Sequence, residues 1–338
     1  MKKTILNLAA ACTIACSACT DKKDLILVAE SNYQWTGVAV SQEERIFVNY
    51  PAWDVPSPFQ VAELIDGKEV AYPSQEAQKL FSCVQSVVID AKNRLWVLDP
   101  ANPQFGGVVP EGPKLFRINL QTNEIEKTYS FTEGSYSRTS YLNDVRVDTN
   151  REIAYITDSE DGGLVVLDLT SGKSWLALDS TCPAVRANLD AVDFKSTGRW
   201  EVLVHSDGLE LSKDNSVLYF TSLTADILYE IPTAVLRDTT LTSPERCGQV
   251  VVLNAKNVPT DGLVLHNNIL YMADLPAEGV WAFDLATKQG KTLNFGKTIR
   301  WADSFARGGD DYIYFTTSQI NYPIEKRVKY EVFKFKGK

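Results

Sequence analysis

Acidic and amide residues stand immediately ahead of a short alternating strand at four places in the chain: Asn143 in "SYLNDVRVD", Asp207 in "HSDGLELS", Asp261 in "PTDGLVLH" and Asp303 in "RWADSFAR". Two further places hold Thr36 in "QWTGVAV" and Gln85 in "CVQSVVID". If these side chains share one site, they form an acceptor-rich pocket. Carboxylates without cationic partners repel one another and take up protons, so such a pocket favours a cation. Asn143, Asp207 and Asp261, with Asp303 as a fourth, are hard oxygen donors of the kind Ca²⁺ takes. Asp207 or Asp261, its pKa raised by like-charged neighbours, is also a candidate base for removing a proton from an activated carbon. Trp35, Tyr141 and Trp301 stand beside these positions, and their ring faces would attract an organic ammonium. A plainer reading competes: Asp or Asn before a strand often bonds turn amides, Asp-Gly is itself a turn signal, and large aromatics pack between sheets.

Other chemistry is excluded by what is missing. With only His205 and His266 there is no three-His zinc site, and no HExxH, GxSxG or phosphate-cradling Gly-rich loop occurs. His266, in the turn "LHNN", is expected to be solvated; His205 is expected to bond backbone at a strand end. A net charge of −9 without clustered Lys or Arg argues against a nucleic-acid or anionic-membrane surface.

Six segments align on the same pattern of strand, polar turn and strand: "TGVAVSQEERIFVNYP", "QSVVIDAKNRLWVLDP", "NDVRVDTNREIAYITDS", "DGLELSKDNSVLYFTSL", "DGLVLHNNILYMADL" and "DSFARGGDDYIYFTTS". Their spacing, between 42 and 64 residues from Gly37 to Ser304, suits one four-stranded blade per repeat. The third repeat continues with "GLVVLDL" and "KSWLAL", the fifth with "VWAFDL" and "KTLNF". The last is one strand short, and "DLILVAE" near the N-terminus is a strand without a blade. The expectation is an all-β, six-bladed β-propeller over residues 24–338, its last blade closed by the N-terminal strand. Rotational repetition then gathers Thr36, Gln85, Asn143, Asp207, Asp261 and Asp303 at one mouth of the central channel. A second ring is expected where the next strands return: Tyr50, Asp99, Asp158, Ser222, Asp274 and Thr317.

Residues 1–19 read as an export signal: Lys2 and Lys3, a short apolar run, then small residues around Cys12, Cys16 and Cys19. The setting of Cys19 resembles a lipoprotein cleavage site, implying a lipidated protein of the bacterial cell envelope, on the outer membrane, with plain secretion as the alternative. No other membrane contact is expected, and the chain is expected to be a monomer. Of Cys83, Cys182 and Cys247, a Cys182–Cys247 disulfide is preferred, against three buried thiols.

At "YLNDVRVD", "AYITDS", "GGLVVLDL" and "RLWVLD" the chain resembles the major royal jelly protein and Yellow family, in its bacterial branch. That resemblance implies secretion and a six-bladed propeller, a small cationic or catechol-like ligand in the channel mouth, and an isomerase activity of the dopachrome-converting type. More remotely the chain is similar to gluconolactonase and senescence-marker propellers, which implies a divalent-metal lactonase site. Asn143 and Asp207 match that pattern, while Thr36 replaces the Glu expected in the first blade. A non-catalytic protein-interaction propeller is the remaining alternative.

Overall fold

The computed structural model describes residues 22–338 apart from Asp54; the export signal and Cys19 lie outside them. Six antiparallel sheets of four strands form the blades of a propeller. Blade I runs through Val38–Val40, Ile46–Asn49, Val61–Ile65 and Lys68–Ala71. Blade II contains Ser86–Ile89, Arg94–Asp99, Lys114–Asn119 and Glu124–Ser130. Blade III contains Leu142–Asp148, Ile153–Asp158, Gly163–Asp168 and Ser174–Leu178. Blade IV contains Ser206–Leu211, Val217–Ser222, Leu228–Pro232 and Val251–Asn254. Blade V is Leu263–His266, Ile269–Asp274, Gly279–Asp284 and Gln289–Thr292. Blade VI is Ala302–Arg307, Tyr312–Thr317 and Tyr330–Lys336, completed by Ile26–Ser31 pairing with Tyr330–Lys336. The N-terminal strand closes the ring as expected, which leaves the last blade no gap and ties both ends of the described chain into one sheet.

Burial follows the blade geometry. The second strands, such as Ile153–Asp158, are buried along their whole length, whereas outer strands such as Lys68–Ala71 alternate between exposed and half-buried. Second strands are covered on both faces by neighbouring blades and so carry continuous apolar sequence. Six apolar clusters fill the six junctions between blades. Phe47 and Val61 of blade I meet Val87 and Val97 of blade II, and the last junction joins Val332 and Tyr314 of blade VI to Val38 and Val48 of blade I.

Two elements depart from expectation. The outer strand of blade V pairs over Gln289–Thr292 rather than along "KTLNF", because Phe295 leaves the ladder and is buried against Phe335, ring centroids 5.2 Å apart. Between blades III and IV a small hairpin, Val192–Phe194 with Gly198–Trp200, has no counterpart in the repeat. Short helical turns occur at Thr233–Arg237 and, as a 3₁₀ turn, at Ala77–Leu80. Cys182 and Cys247 are joined in a disulfide, and Cys83 is a buried free thiol. Among the described residues no helix is long and apolar enough to cross a membrane.

Candidate functional site

In blades III, IV and VI the polar dipeptides that open the inner strands are β-bulges. In blade III, Leu142 pairs with Asp158 and Val145 with Ile156, so Asn143 and Asp144 together face one residue, Thr157. Asp207 and Gly208 face Thr221 in the same way, and Asp303 and Ser304 face Thr316. A bulge bends its strand and re-aims the side chains it carries. The opposed threonines stitch blades together: Thr157 Oγ1 accepts from Asp144 N at 3.0 Å and donates to Asp207 O of the next blade at 2.6 Å. Thr316 Oγ1 accepts from Ser304 N at 3.3 Å and donates to Thr36 O.

Glycine is required where inner strands touch. A Cβ on Gly208 would lie 2.3 Å from Asp261 O, and one on Gly262 2.6 Å from Asp303 O. Gly262 N donates to that same Asp303 carbonyl at 2.9 Å. Asp207, Asp261 and Asp303 are therefore held on backbones in direct succession around the axis.

Their carboxylates act as one cluster with a fourth, Asp144. All four are buried. Burial raises Asp207 well above the ordinary carboxylate range, and the nearby charges of Asp261, Asp144 and Asp303 add to it. Asp261 is pushed up to about 7 by burial, although the Trp301 indole N–H, donating to Oδ2 at 2.6 Å, acts against the rise. Asp207 and Asp261 act on each other directly, Asp261 raising Asp207 and Asp207 easing Asp261, so the two titrate as a pair. Asp303 is raised by burial and by Asp261, with the Ser318 and Ser304 hydroxyls opposing. Asp144 is raised by burial and eased by Arg146. Among the described residues no Lys or Arg forms an ion pair with Asp207, Asp261 or Asp303; Arg146 pairs instead with Glu210 at 3.3 Å.

Several buried polar atoms at this end of the blades have no partner among the described residues: Asp207 Oδ1, Ser206 Oγ, Ser222 Oγ, Thr260 Oγ1 and Trp35 Nε1. A buried acceptor left unpaired costs ~1–3 kcal/mol, more when charged. The Asn143 side chain is buried as well.

The remaining sequence candidates are placed differently. Thr36 Oγ1 donates to Gln85 O at 3.1 Å and accepts from Asn49 Nδ2 at 2.9 Å, and Gln85 Oε1 accepts from Tyr141 OH at 2.9 Å. These polar groups are used within and between blades I to III. Trp35, Tyr141 and Trp301 are fully buried rather than open ring faces at a mouth. Two aromatic stacks are built on them. Tyr141 lies 4.6 Å from Phe105 and accepts from Trp53 Nε1 at 2.8 Å. Trp301 lies 5.3 Å from Phe194 and 5.0 Å from Trp200 of the extra hairpin. Trp301 holds a left-handed φ of 63°, strain of roughly 1–3 kcal/mol that surrounding contacts must offset.

The expected second ring does not join the cluster. Asp99 accepts from the amides of Ser82, Cys83 and Ala101. Asp158 accepts from Tyr141, Glu160 and Asp161, and Asp274 from Ala277 N and Thr292 Oγ1. These three are turn caps. His205 Nδ1 accepts from Ala187 N at 3.0 Å, the expected backbone role. His266 corrects its expectation: it is half-buried and 3.2 Å from Asp311.

The match of a family model now decides the assignment: residues 82–288 match the model described as "Major royal jelly protein". The chain belongs to the major royal jelly protein family. It is 28% identical over 177 residues to a Yellow-related salivary protein of Lutzomyia longipalpis, covering 44% of this chain and 43% of that relative, so the match spans less than half of the relative's length. Solved structures share the fold at low identity. A Xanthomonas campestris gluconolactonase is 13% identical with a TM-score of 0.58, over 92% of this chain and 89% of that one. Virginiamycin B lyase of Staphylococcus aureus is 12% identical with a TM-score of 0.56, over 94% of this chain and 100% of that one.

For this major royal jelly family member the sequence reading missed Asp144, which stands where other repeats carry Gly or Ser. The available signal was a carboxylate as the second residue of a bulge. Ca²⁺ would be held by Asn143, Asp207 and Asp261. Asp207 Oδ1 is free to coordinate, but Asp261 Oδ2 is engaged by Trp301. Among the described residues no three His, Cys, Asp or Glu side chains are arranged to hold a metal ion. The set falls short of the 6–8 oxygens Ca²⁺ takes.

Proposed function

We propose that this propeller binds a small organic cation with an aromatic body, of the amine or catechol type, at the carboxylate cluster, and isomerises it by proton transfer through Asp207 and Asp261. The observation that carries this reading is the buried Asp207 Oδ1, unpartnered among the described residues, within a group of four carboxylates, three of which have no Lys or Arg of the described residues paired to them. A bound ammonium would supply the missing donor and the missing charge, beside the buried Trp301 indole that bonds Asp261. In the isomerisation, the deprotonated carboxylate of the pair takes a proton from carbon, and the proton held by its partner is returned elsewhere on the same molecule. No net oxidation occurs. A pKa near 7 suits a group that must both accept and release a proton at neutral pH.

The protein is proposed to work outside the cytoplasm, held to the membrane by a lipid on Cys19; a Cys19→Ala variant should then leave the membrane fraction.

Calorimetry with a panel of amines and catechols, on wild type and Asp207→Asn, tests the binding step. Binding by wild type and its loss in the variant supports the reading. Silence across the panel, or a stoichiometric divalent ion abolished by Asp207→Ala, would replace it with a lactonase-type metal site. Dopachrome turnover, followed by loss of its visible absorbance, tests the catalytic step.

A further inference from the structure

The opposite end of the axis is built differently. There the turns between first and second strands frame a cavity of about 1160 Å³, above the ~300–1,000 Å³ of ordinary small-molecule sites. None of Asn143, Asp144, Asp207, Asp261 or Asp303 lines it. Its wall includes an apolar collar with a residue from each of the six blades: Val40, Val88, Val147, Leu211, Val264 and Phe305.

The charged groups of the lining are unequally engaged. Asp90 accepts from Arg94 and from Trp96 Nε1. Glu210 accepts from Arg146 and from Leu211 N, and Asp214 from the hydroxyls of Ser212 and Ser216. The cations have donors left over. Arg146, its side chain 13% exposed, donates to Glu210, Val145 O and Leu263 O. A guanidinium carries five N–H groups, so two remain. Lys213 and Arg307, at the rim, form no ion pair among the described residues. Arg146 also acts on Asp144 of the carboxylate cluster. The axis is thereby divided, with acceptors unsatisfied at one end and donors unsatisfied at the other.

We propose that this cavity is a second ligand site, for an amphipathic organic anion whose carboxylate bonds Arg146 and whose apolar body lies against the collar. Calorimetry with 4-phenylbutyrate and the straight-chain carboxylates from hexanoate to dodecanoate tests it, with 4-phenylbutylamine as the charge-reversed control. At least one carboxylate should bind with one saturable site per chain. Ala306→Trp, at a half-buried lining position, fills the cavity and should abolish binding. The double variant Arg146→Met/Glu210→Met removes the ion pair as a unit and should weaken binding about tenfold or more. Should that variant fail to fold, Lys213→Ala/Arg307→Ala serves as the charge test and should weaken binding several-fold. The proposal is overturned if no carboxylate binds folded wild type, if Ala306→Trp binds as tightly, or if the amine displaces the carboxylate.

Discussion

Asp207 shows how much of this site's chemistry follows from burial without a counter-charge. Its pKa is raised first by desolvation and then by Asp261, Asp144 and Asp303, so the folded protein holds protons that the unfolded chain releases above its ordinary carboxylate pKa of ~3.9. The sign follows by linkage: with more protons bound in the native state, stability is full below that pKa and falls as pH rises through the folded values, of which Asp261 supplies one at about 7. Asp207→Asn removes one of the repelling charges. It should leave the thermal midpoint unchanged near pH 4 and raise stability at pH 8 by at least ~1 kcal/mol, since one pKa unit corresponds to ~1.4 kcal/mol; thermal melts across this range check it. Asp207, Asp261 and Asp303 were legible in the sequence because they recur in one place of a repeat. Asp144 was not, because either residue of a two-residue bulge can turn toward the axis. The caps Asp99, Asp158 and Asp274 could not be told apart from site residues, since a carboxylate after a strand serves a turn or a site with the same sequence.

At the scale of the elements, function rests on inner strands that approach closely enough to bring carboxylates from blades III to VI together. Gly208→Ala places its Cβ 2.3 Å from a backbone carbonyl, which has no flexible end to move aside. We expect a loss of ~1–3 kcal/mol in chemical denaturation. The repeat made these strands readable, because period-two alternation and turn residues mark each one. The aromatic stacks were not readable: Trp53, Phe105 and the Val192–Trp200 hairpin lie in connections that follow no period. The disulfide belongs to this scale too. It anchors the segment carrying Ser243–Cys247, which crosses to blade III, where Arg246 donates to Ala177 O at 3.2 Å. Replacing both cysteines by alanine should cost ~2–4 kcal/mol, measured by denaturant unfolding.

For the whole molecule, closure is what makes six weak repeats one cooperative unit. The Ile26–Ser31 strand supplies the fourth place in blade VI and links blade I covalently to that sheet. Deletion through Ser31 exposes the edge of Tyr330–Lys336 and should broaden and lower the unfolding transition, with blades VI and I gaining amide exchange first. An unchanged transition would show that the ring does not depend on its closing strand. The six-fold pattern and this closure were both evident from the sequence, since the last repeat lacked one strand and the first was preceded by one. The division of the axis into an end with spare acceptors and an end with spare donors was not, because it depends on which charges are already bonded.

The central claim, that the carboxylate cluster is a cation site, is tested most directly by titrating an aromatic amine such as dopamine into the protein at pH 6 and 8, in two buffers of different ionisation heat. A cation entering a group of proton-holding carboxylates must displace protons, so we predict proton release on binding, tighter affinity at pH 8, and loss of both in Asp207→Asn. Binding with no proton exchange, or with equal affinity in Asp207→Asn, would contradict it.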